Sequence, residues 1–226
     1  MVRESYREQL DSLRNDVLYM SEIVADRLRK ALSAMEARDT DAAMEVIEGD
    51  DEINEMYLDL EGDCIDLIAL QQPVASDLRF IAASFKIITD LERIADLAVN
   101  LADYTLEAKQ SIFPEVDIQS IGYNTLDMID AAMRAYEQED TDLCFEIAER
   151  DDEIDEGCRR ASDEVVRDII EHEIDESTSE AEIERLMADV SRLLLTIRDL
   201  ERVGDHATNI AARTLYMVEN DDALIY

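Results

Sequence analysis

Apolar side chains recur along most of this chain at alternating spacings of three and four residues, the pattern of amphipathic helices that pack into bundles. In the first such stretch, Leu10, Leu13, Val17 and Met20 begin a single apolar face. Polar or proline-containing segments, including one at 111–114, separate the stretches. The pattern predicts six long helices, over about residues 5–37, 39–70, 74–108, 115–138, 140–172 and 181–218.

The second half of the chain repeats the first. Residues 90–102 read DLERIADLAVNLA and residues 199–211 read DLERVGDHATNIA, at an offset of 109 residues. The DTD triplet at 39–41 recurs at 140–142, at an offset of 101, so eight extra residues lie between the two motifs in the second half. Self-similarity of this kind indicates that one helical unit has been duplicated.

We therefore predict an all-α fold of two tandem, similar three-helix bundles, built from six long antiparallel helices. The first bundle is expected to cover residues 1–110 and the second residues 111–226. The chain has only five Gly and two Pro residues, which also favours long helices with few connections.

Carboxylates interrupt the apolar faces at corresponding places in the two halves. Glu92 lies on the face of the third predicted helix that should pack against its neighbours, and Asp96 follows one turn later. Asp50 lies on the packing face of the second helix, where an apolar residue is expected. The repeated positions are Asp50 and Asp151, Asn54 and Asp155, Glu92 and Glu201, Asp96 and Asp205, and Asn100 and Asn209.

Distances along the chain place the acids of neighbouring helices at equal heights. The second and third helices should be antiparallel about a turn near Pro73, and Asp50 and Asp96 are each 23 residues from it. Asn54 and Glu92 are each 19 residues from it, so both pairs should lie level across the hairpin. The second half gives the same levels when its eight extra residues are divided equally about its turn.

Several carboxylates in one partly buried seam repel one another, so they must be protonated, hydrated or bridged by a cation. Oxygen donors with amide neighbours suit hard or borderline metals, and the candidate ions are Fe, Mn, Mg, Zn and Ca. His206 follows Asp205 and is a further candidate ligand, although its counterpart is Leu97. The alternative interpretation is a solvated acidic groove in which Arg93 and Arg202 neutralise the acids.

The acidity of the chain limits its partners. Its 226 residues include 57 acidic and 21 basic side chains, a formal net charge of −36. A nucleic-acid binder needs a basic face to neutralise phosphates, so nucleic acid and anionic lipid are excluded as direct ligands. The acids are spread along the whole chain and Lys is rare, so we expect a halophilic source, an archaeon adapted to high salt. The alternative is that the acidity attracts a basic partner.

The sequence also indicates a compartment. It contains no run of about 18 uncharged apolar residues, and its charged N-terminus lacks the apolar stretch of a signal peptide. We expect a cytoplasmic protein without direct membrane insertion. Cys64, Cys144 and Cys158 all fall on apolar faces, so we expect buried, reduced thiols.

The segment at 67–102, LIALQQPVASDLRFIAASFKIITDLERIADLAVNLA, resembles the PhoU family, and so does the motif at 199–211. The resemblance covers essentially the whole chain. It implies two similar three-helix bundles that bind metals through paired E(D)xxxD motifs. The matching positions are Asp50, Glu92, Asp96 and Asn100 in the first half, and Asp151, Asp155, Glu201, Asp205 and Asn209 in the second.

Three features depart from the family pattern. Asn54 stands where the family usually has an acid, and Ala95 replaces the usual Gly of the LERxGD motif. We therefore expect the first metal site to be weaker or differently occupied. The second half has no equivalent of QQPVASDLR, the longest specific motif of the first half.

The resemblance also implies a function. The expected role is that of a regulatory accessory protein that restrains a phosphate ABC transporter when phosphate is plentiful. The implied partners are the transporter's ATPase subunit and, where present, a sensor kinase that responds to phosphate starvation. Dimers are common in the family, so we expect a homodimer that is recruited peripherally to the transporter.

Two other functions are weighed against this one. A metal-free helical scaffold or adaptor protein is the first alternative. The second is a carboxylate-bridged metalloenzyme, which would need a Glu three residues before a His on each of two helices. Ile169 and Val203 occupy those positions before His172 and His206, and no Gly-rich phosphate loop is present. We therefore expect that the protein is not an enzyme.

Overall fold

The computed structural model describes residues 2–108, 116–172 and 179–225. The break predicted at 111–114, the second-half turn predicted at Thr178 and the side chain of His172 lie outside the described part of the chain. The described residues are helical and contain no strand, so the predicted all-α fold is confirmed. The helices are α1 (Val2–Ala37), α2 (Thr40–Glu48), α3 (Asp50–Gln71), α4 (Ala75–Glu107), α5 (Ile118–Gln138), α6 (Thr141–His172) and α7 (Glu180–Glu219).

The six predicted helices are present, and the second of them is divided at Gly49 into α2 and α3. Gly49 ends one helix and begins the next with φ −81° and ψ −1°. Arg27 of α1 donates a hydrogen bond to the carbonyl oxygen of Gly49. A Cβ atom at this position would lie 3.0 Å from Nη2 of Arg27. The missing side chain therefore lets a buried guanidinium reach the backbone where the helix breaks.

Corresponding residues end and begin helices in the two halves. Arg38 after α1 and Glu139 after α5 both adopt the left-handed conformation, with φ of 54° and 57°. Asp39 and Asp140 follow them, and each accepts hydrogen bonds from backbone N–H groups in the first turn of the next helix. The duplication therefore extends from the motifs to the backbone of the connections.

The first bundle consists of α1, α4 and the divided helix α2–α3, and the second consists of α5, α6 and α7. The two halves also pack on each other, α4 along α7 and α1 along α5, around one continuous apolar core. Leu28, Ile53 and Leu91 in the first half and Ile129 and Leu200 in the second are fully buried. Burying each such side chain contributes roughly 1.5–3 kcal/mol, so apolar packing fixes which helix faces meet.

Other sequence-based predictions concern the membrane and the cysteines. No helix in residues 2–108, 116–172 and 179–225 is long and apolar enough to span a bilayer. Cys64, Cys144 and Cys158 are buried and free, as predicted. Burial raises the pKa of the Cys64 and Cys158 thiols to about 12 and that of the Cys144 thiol to about 11, so all three are protonated at neutral pH.

Candidate metal centre

Three carboxylates of the second bundle meet where α6 packs against α7. Asp151 and Asp155 are one turn apart on α6, and Asp205 faces them from α7. One carboxylate oxygen from each lies within 4.8 Å of the other two, a spacing that a single ion can bridge. Asp151 is partly buried, whereas Asp155 and Asp205 are exposed. The levels predicted from the sequence therefore do bring these acids together.

The electrostatics of this cluster are unfavourable without a cation. Burial, and then the charges of Asp155 and Asp205, raise the pKa of Asp151 to about 6. The pKa of Asp155 is raised in the same direction, first by burial and then by Asp205. The Thr208 hydroxyl lies close to the Asp151 carboxyl and partly offsets the rise in its pKa, although neither that hydroxyl nor the buried Oδ1 atom of Asp151 has a well-formed hydrogen bond. No Lys or Arg among the described residues pairs with any of the three carboxylates, so the described part of the chain does not offset their mutual repulsion.

Glu201 lies beside the three carboxylates. Burial raises its pKa, and the charges of Asp155 and Asp205 add to the effect. Its carboxylate does not belong to the group of oxygens within 4.8 Å, so it is placed to assist rather than to complete that group.

Gly204 of α7 lies directly under the cluster. A Cβ atom at this position would be 3.2 Å from Oδ1 of Asp151 and 3.5 Å from Cγ2 of Ile154. The first-half counterpart of Gly204, at the offset of 109, is Ala95, which does carry that methyl group. Ala95 departs from the family pattern, and its counterpart Gly204 is the residue that lies against the Asp151 carboxylate.

Asp151, Asp155 and Asp205 form the second cluster, and their oxygen donors fit a hard cation. Three carboxylates supply oxygen atoms close enough to share one ion, and Asp151 among them also has a buried oxygen atom without a well-formed hydrogen bond. The nearby Cys158 thiol has its pKa raised by burial and by the acids Glu201 and Asp155. A protonated thiol is a poor ligand, so the oxygen atoms dominate the site.

The first cluster consists of Asp50, Glu92 and Asp96, the counterparts of Asp151, Glu201 and Asp205, and its arrangement is different. Burial raises the pKa of Glu92, and the charges of Asp96 and Asp50 add to this, so the three residues do lie near one another. Nδ2 of Asn54 donates a hydrogen bond to Oδ2 of Asp50 at 2.9 Å. Among the described residues, His, Cys, Asp and Glu groups bring three ligand atoms within 4.8 Å of one another only in the second cluster.

Arginine side chains neutralise the first cluster. Nη1 of Arg27 lies 3.6 Å from Oδ1 of Asp50. Arg93 lies 3.4 Å from a carboxylate oxygen of Glu92 and 3.2 Å from one of Asp96. Arg93 therefore pairs with acids of the first cluster, as the interpretation of a solvated groove expects of it.

The second cluster lacks both arginines. At the offset of 101, the counterpart of Arg27 is Met128, which is fully buried. Arg202, the counterpart of Arg93, lies 3.7 Å from Asp199. Among the described residues, the second cluster has no counterpart of the guanidinium that pairs with Asp50 or of the one that pairs with Glu92.

Two of the three predicted asparagines, Asn100 and Asn209, face the seam between the bundles. Nδ2 of Asn100 donates to Oδ2 of Asp199 at 3.2 Å, and Nδ2 of Asn209 donates to Oδ1 of Asp90 at 3.4 Å. These contacts are reciprocal, because each joins equivalent residues of the antiparallel helices α4 and α7. Their side-chain nitrogen atoms tie the two halves together.

His206 also faces this seam. Its Nδ1 atom lies 2.8 Å from Oδ1 of Asp90, and the imidazole is close enough to Glu92 to affect its pKa. It therefore lies beside the first cluster, although it follows Asp205 of the second in sequence. Asp90 and Asp199 both belong to the repeated motif, but helical periodicity alone gave no reason to place them in the site.

Comparisons with known proteins agree with the two-fold repeat. A family model described as "PhoU domain" matches residues 17–105 and again residues 118–214. The chain is 31% identical to the phosphate-specific transport system accessory protein PhoU homolog of Pseudomonas aeruginosa, over 98% of this chain and 88% of that protein. It is also 31% identical to the phosphate-specific transport system accessory protein PhoU of Escherichia coli, over 96% of this chain and 86% of that protein.

Solved structures give the same result. The crystal structure of PhoU from Pseudomonas aeruginosa is similar with a TM-score of 0.86 at 31% identity, covering 96% of this chain and 100% of that one. The phosphate transport system regulatory protein PhoU from Streptococcus pneumoniae is similar with a TM-score of 0.86 at 26% identity, covering 96% of this chain and 98% of that one.

Proposed function

The chain belongs to the PhoU family, and we therefore propose that it is a regulatory accessory protein of phosphate transport, not an enzyme. Relatives that carry this name match nearly its whole length, which supports the assignment. In this proposal the protein acts in the cytoplasm and restrains a phosphate ABC transporter by contact with its ATPase subunit. A sensor kinase, where present, is a second partner, and the protein acts as a homodimer.

We further propose that Asp151, Asp155 and Asp205 hold a metal ion, with Glu201 beside it. The observation that carries this proposal is the close group of three carboxylates, in which the buried Oδ1 atom of Asp151 lacks a well-formed hydrogen bond. When bound, the ion supplies the positive charge that the cluster lacks. The carboxylates themselves belong to two helices, so holding one ion in common fixes α6 against α7.

The two clusters are proposed to differ in affinity, with the second as the stronger site. Arg27 and Arg93 already bring positive charge to the first cluster. Asn54, which replaces Asp155 of the second cluster, donates an N–H group to Asp50, and an ion needs an oxygen atom there. An ion at the first cluster would therefore have to displace guanidinium groups and find its ligands among Asp50, Glu92, Asp96, the amide oxygen of Asn54 and that of Asn100.

Titration with Mn²⁺ tests the metal proposal. Isothermal calorimetry on metal-free protein is expected to show one dominant site that Asp151→Asn removes and that Asp50→Asn leaves in place. Equal loss from both variants would contradict the unequal sites. Absence of any binding, tested also with Fe²⁺, Zn²⁺, Mg²⁺ and Ca²⁺, would favour the metal-free scaffold.

Capture of the ATPase subunit tests the regulatory proposal separately. Immobilised protein is expected to retain the purified ATPase subunit in Mn²⁺ and to retain less of it in a chelator. No retention under either condition would contradict the proposed contact, whatever the metal titration gives.

A further inference from the structure

A groove between α1 and α3 lies away from both acidic clusters and has no assigned role. It encloses about 260 Å³ and is lined by Leu13, Leu67, Leu70, Asp63 and Asp66, together with Gln9 and Ser12. Asp63 is 13 residues along α3 from Asp50, a separation of about 20 Å on a helix. The groove is therefore distinct from the first cluster, although α3 contributes to both.

The floor of the groove is apolar and its edge is exposed. Leu13 and Leu67 are buried in the floor, whereas Leu70 at the edge is 73% exposed. Leu67 and Leu70 are three residues apart on α3, so they lie on one face of the helix, which a partner helix can cover.

The rim of the groove is acidic and has no counter-charge. Asp63 and Asp66 line it from α3, and Asp59 precedes them by one turn. Burial raises the pKa of Asp63, and the charges of Asp16 on α1, Asp59 and Asp66 add to the effect. In the described part of the chain, none of these four carboxylates pairs with a Lys or Arg. Over its whole length α3 carries eight acidic residues and no basic one.

We propose that this groove binds a helical segment of a protein partner that carries Arg or Lys beside apolar side chains. The aliphatic stem of the basic side chain would lie on Leu13 and Leu67, and its charged end would reach Asp63 and Asp66. The flanking apolar side chains of the same segment would cover Leu70. A second copy presenting the same face would bring carboxylates against carboxylates, so charge complementarity favours a different, basic partner.

This inference deepens the proposed function and rests on it for one point, namely that the partner belongs to the transporter. The chemistry of the groove stands apart from that identification. It also stands apart from the metal site, since the two share no residue.

Peptide binding tests the groove directly. The probe is a fluorescein-labelled amphipathic peptide of Leu, Ala and Arg, long enough to form a helix, and its binding is followed by fluorescence anisotropy. The double variant Asp63→Asn/Asp66→Asn is expected to bind it at least about ten-fold more weakly than the native chain. Leu70→Ser, at an exposed position, is expected to weaken the binding while leaving the charge unchanged.

The strong overall negative charge requires a matched control. Glu146→Gln/Glu149→Gln removes the same charge at the same spacing from an exposed face of α6, and it is expected to leave the affinity within about two-fold of the native value. Equal weakening in the control would overturn the proposal, because it would show attraction by net charge alone. Self-association that the groove variant abolishes would assign the groove to a second copy and would also overturn it.

The same variants separate this inference from the proposed function. Loss of both the peptide and the ATPase subunit in the groove variant, but not in the control, is the expected result. If the groove variant loses only the peptide, the groove assignment stands, and the ATPase subunit is shown to bind elsewhere on the protein.

Discussion

Nη1 of Arg27 lies 3.6 Å from Oδ1 of Asp50, and the guanidinium that makes this contact is only 8% exposed. In the second half the corresponding position is Met128, and the corresponding carboxylate, Asp151, has a buried oxygen atom without a well-formed hydrogen bond. One repeat thus carries its own cation, and the other leaves a carboxylate to be neutralised from outside. This difference adds to the replacement of Asp155 by Asn54 in setting the two clusters apart.

Replacing Arg27 by the residue of the other repeat tests this relationship. Arg27→Met is expected to destabilise the metal-free protein by about 2 kcal/mol, because it removes the ion pair with Asp50 and the hydrogen bond to the carbonyl of Gly49. Mn²⁺ should restore part of that loss, since only Arg93 among the described arginines then brings positive charge to the first cluster. Chemical denaturation with and without Mn²⁺ measures both effects.

A surface cation provides the control for this variant. Lys30 pairs with Asp26 at 3.1 Å and is well exposed, so Lys30→Met should change the free energy of unfolding by less than about 0.5 kcal/mol. Similar losses in Arg27→Met and Lys30→Met would contradict a special role for Arg27.

The pH dependence of stability should report on Asp151. Its pKa in the folded protein is about 6, above the ordinary value of 3.8, so the folded state binds this proton more tightly than the unfolded state does. Metal-free native protein should therefore lose stability as the pH rises from about 4 to about 6. Asp151→Asn should remove that loss and should be more stable at pH 7 by about 1–2 kcal/mol, after allowance for partial exposure.

Denaturation curves across this pH range give the measurement. Glu153→Gln, an exposed change on the same helix, should keep the pH dependence of the native chain. With saturating Mn²⁺ the order should reverse, because only the native chain gains binding energy. A native chain whose stability rises between pH 4 and 6 as steeply as that of Asp151→Asn would show that the carboxyl carries no such penalty.

Gly204 and Ala95 offer a reciprocal pair of changes. Gly204→Ala would place a methyl group 3.2 Å from Oδ1 of Asp151 and should displace that carboxylate from the cluster. We expect about ten-fold weaker Mn²⁺ binding with little loss of stability, since Ala favours a helix over Gly by about 1 kcal/mol. Ala95→Gly should cost about that much stability and leave the second site unaffected. Calorimetric titration of both variants separates the two effects, and unchanged affinity in Gly204→Ala would contradict the steric role.

The helical periodicity predicted the bundle architecture and the levels of the acids because both follow from regular spacing along a helix. Asp151 and Asp205 meet as the count from the turn predicted. The spacing did not show which neighbouring helix a side chain at the edge of an apolar face would contact, because α4 and α7 each pack against several helices. Asn100 and Asn209 lie between two such faces, and their amide groups turn to the seam between the bundles.

The contacts of the arginine side chains were also not predictable from the sequence. Arg93 and Arg202 are equivalent in sequence, yet the first contacts its own acidic cluster and the second contacts Asp199. A long, flexible side chain pairs with the carboxylate that tertiary packing places closest to it, and helical periodicity does not predict which carboxylate that is. The helix break at Gly49 was not predicted for a similar reason, because the Arg27 guanidinium that donates a hydrogen bond to its carbonyl comes from α1, which is distant in sequence.

Asp199 should control the ionisation of Tyr104 across the seam between α4 and α7. The Tyr104 hydroxyl donates to Oδ2 of Asp199 at 2.9 Å, and Asp199 is only 3% exposed. Burial, followed by this hydrogen bond and the charge of Asp199, raises the pKa of Tyr104 to about 12. Asp199→Asn removes the charge and should lower that pKa towards the ordinary value of 10.0, while burial keeps it above that value. Titration of ¹³C-labelled tyrosine by NMR measures the shift.

Asp103→Asn is the matched control for this titration, because it removes an equal charge from an exposed position next to Tyr104 in sequence. Its charge is the weakest of the influences on the phenol, so a much smaller shift is expected. The same Asp199→Asn variant should lower the free energy of unfolding by about 1–2 kcal/mol, since the new amide group would face the N–H donors of Asn100. Equal shifts of the Tyr104 pKa in the two variants would mean that the seam between the bundles is open to water, and the hydrogen bond would then not hold α4 to α7.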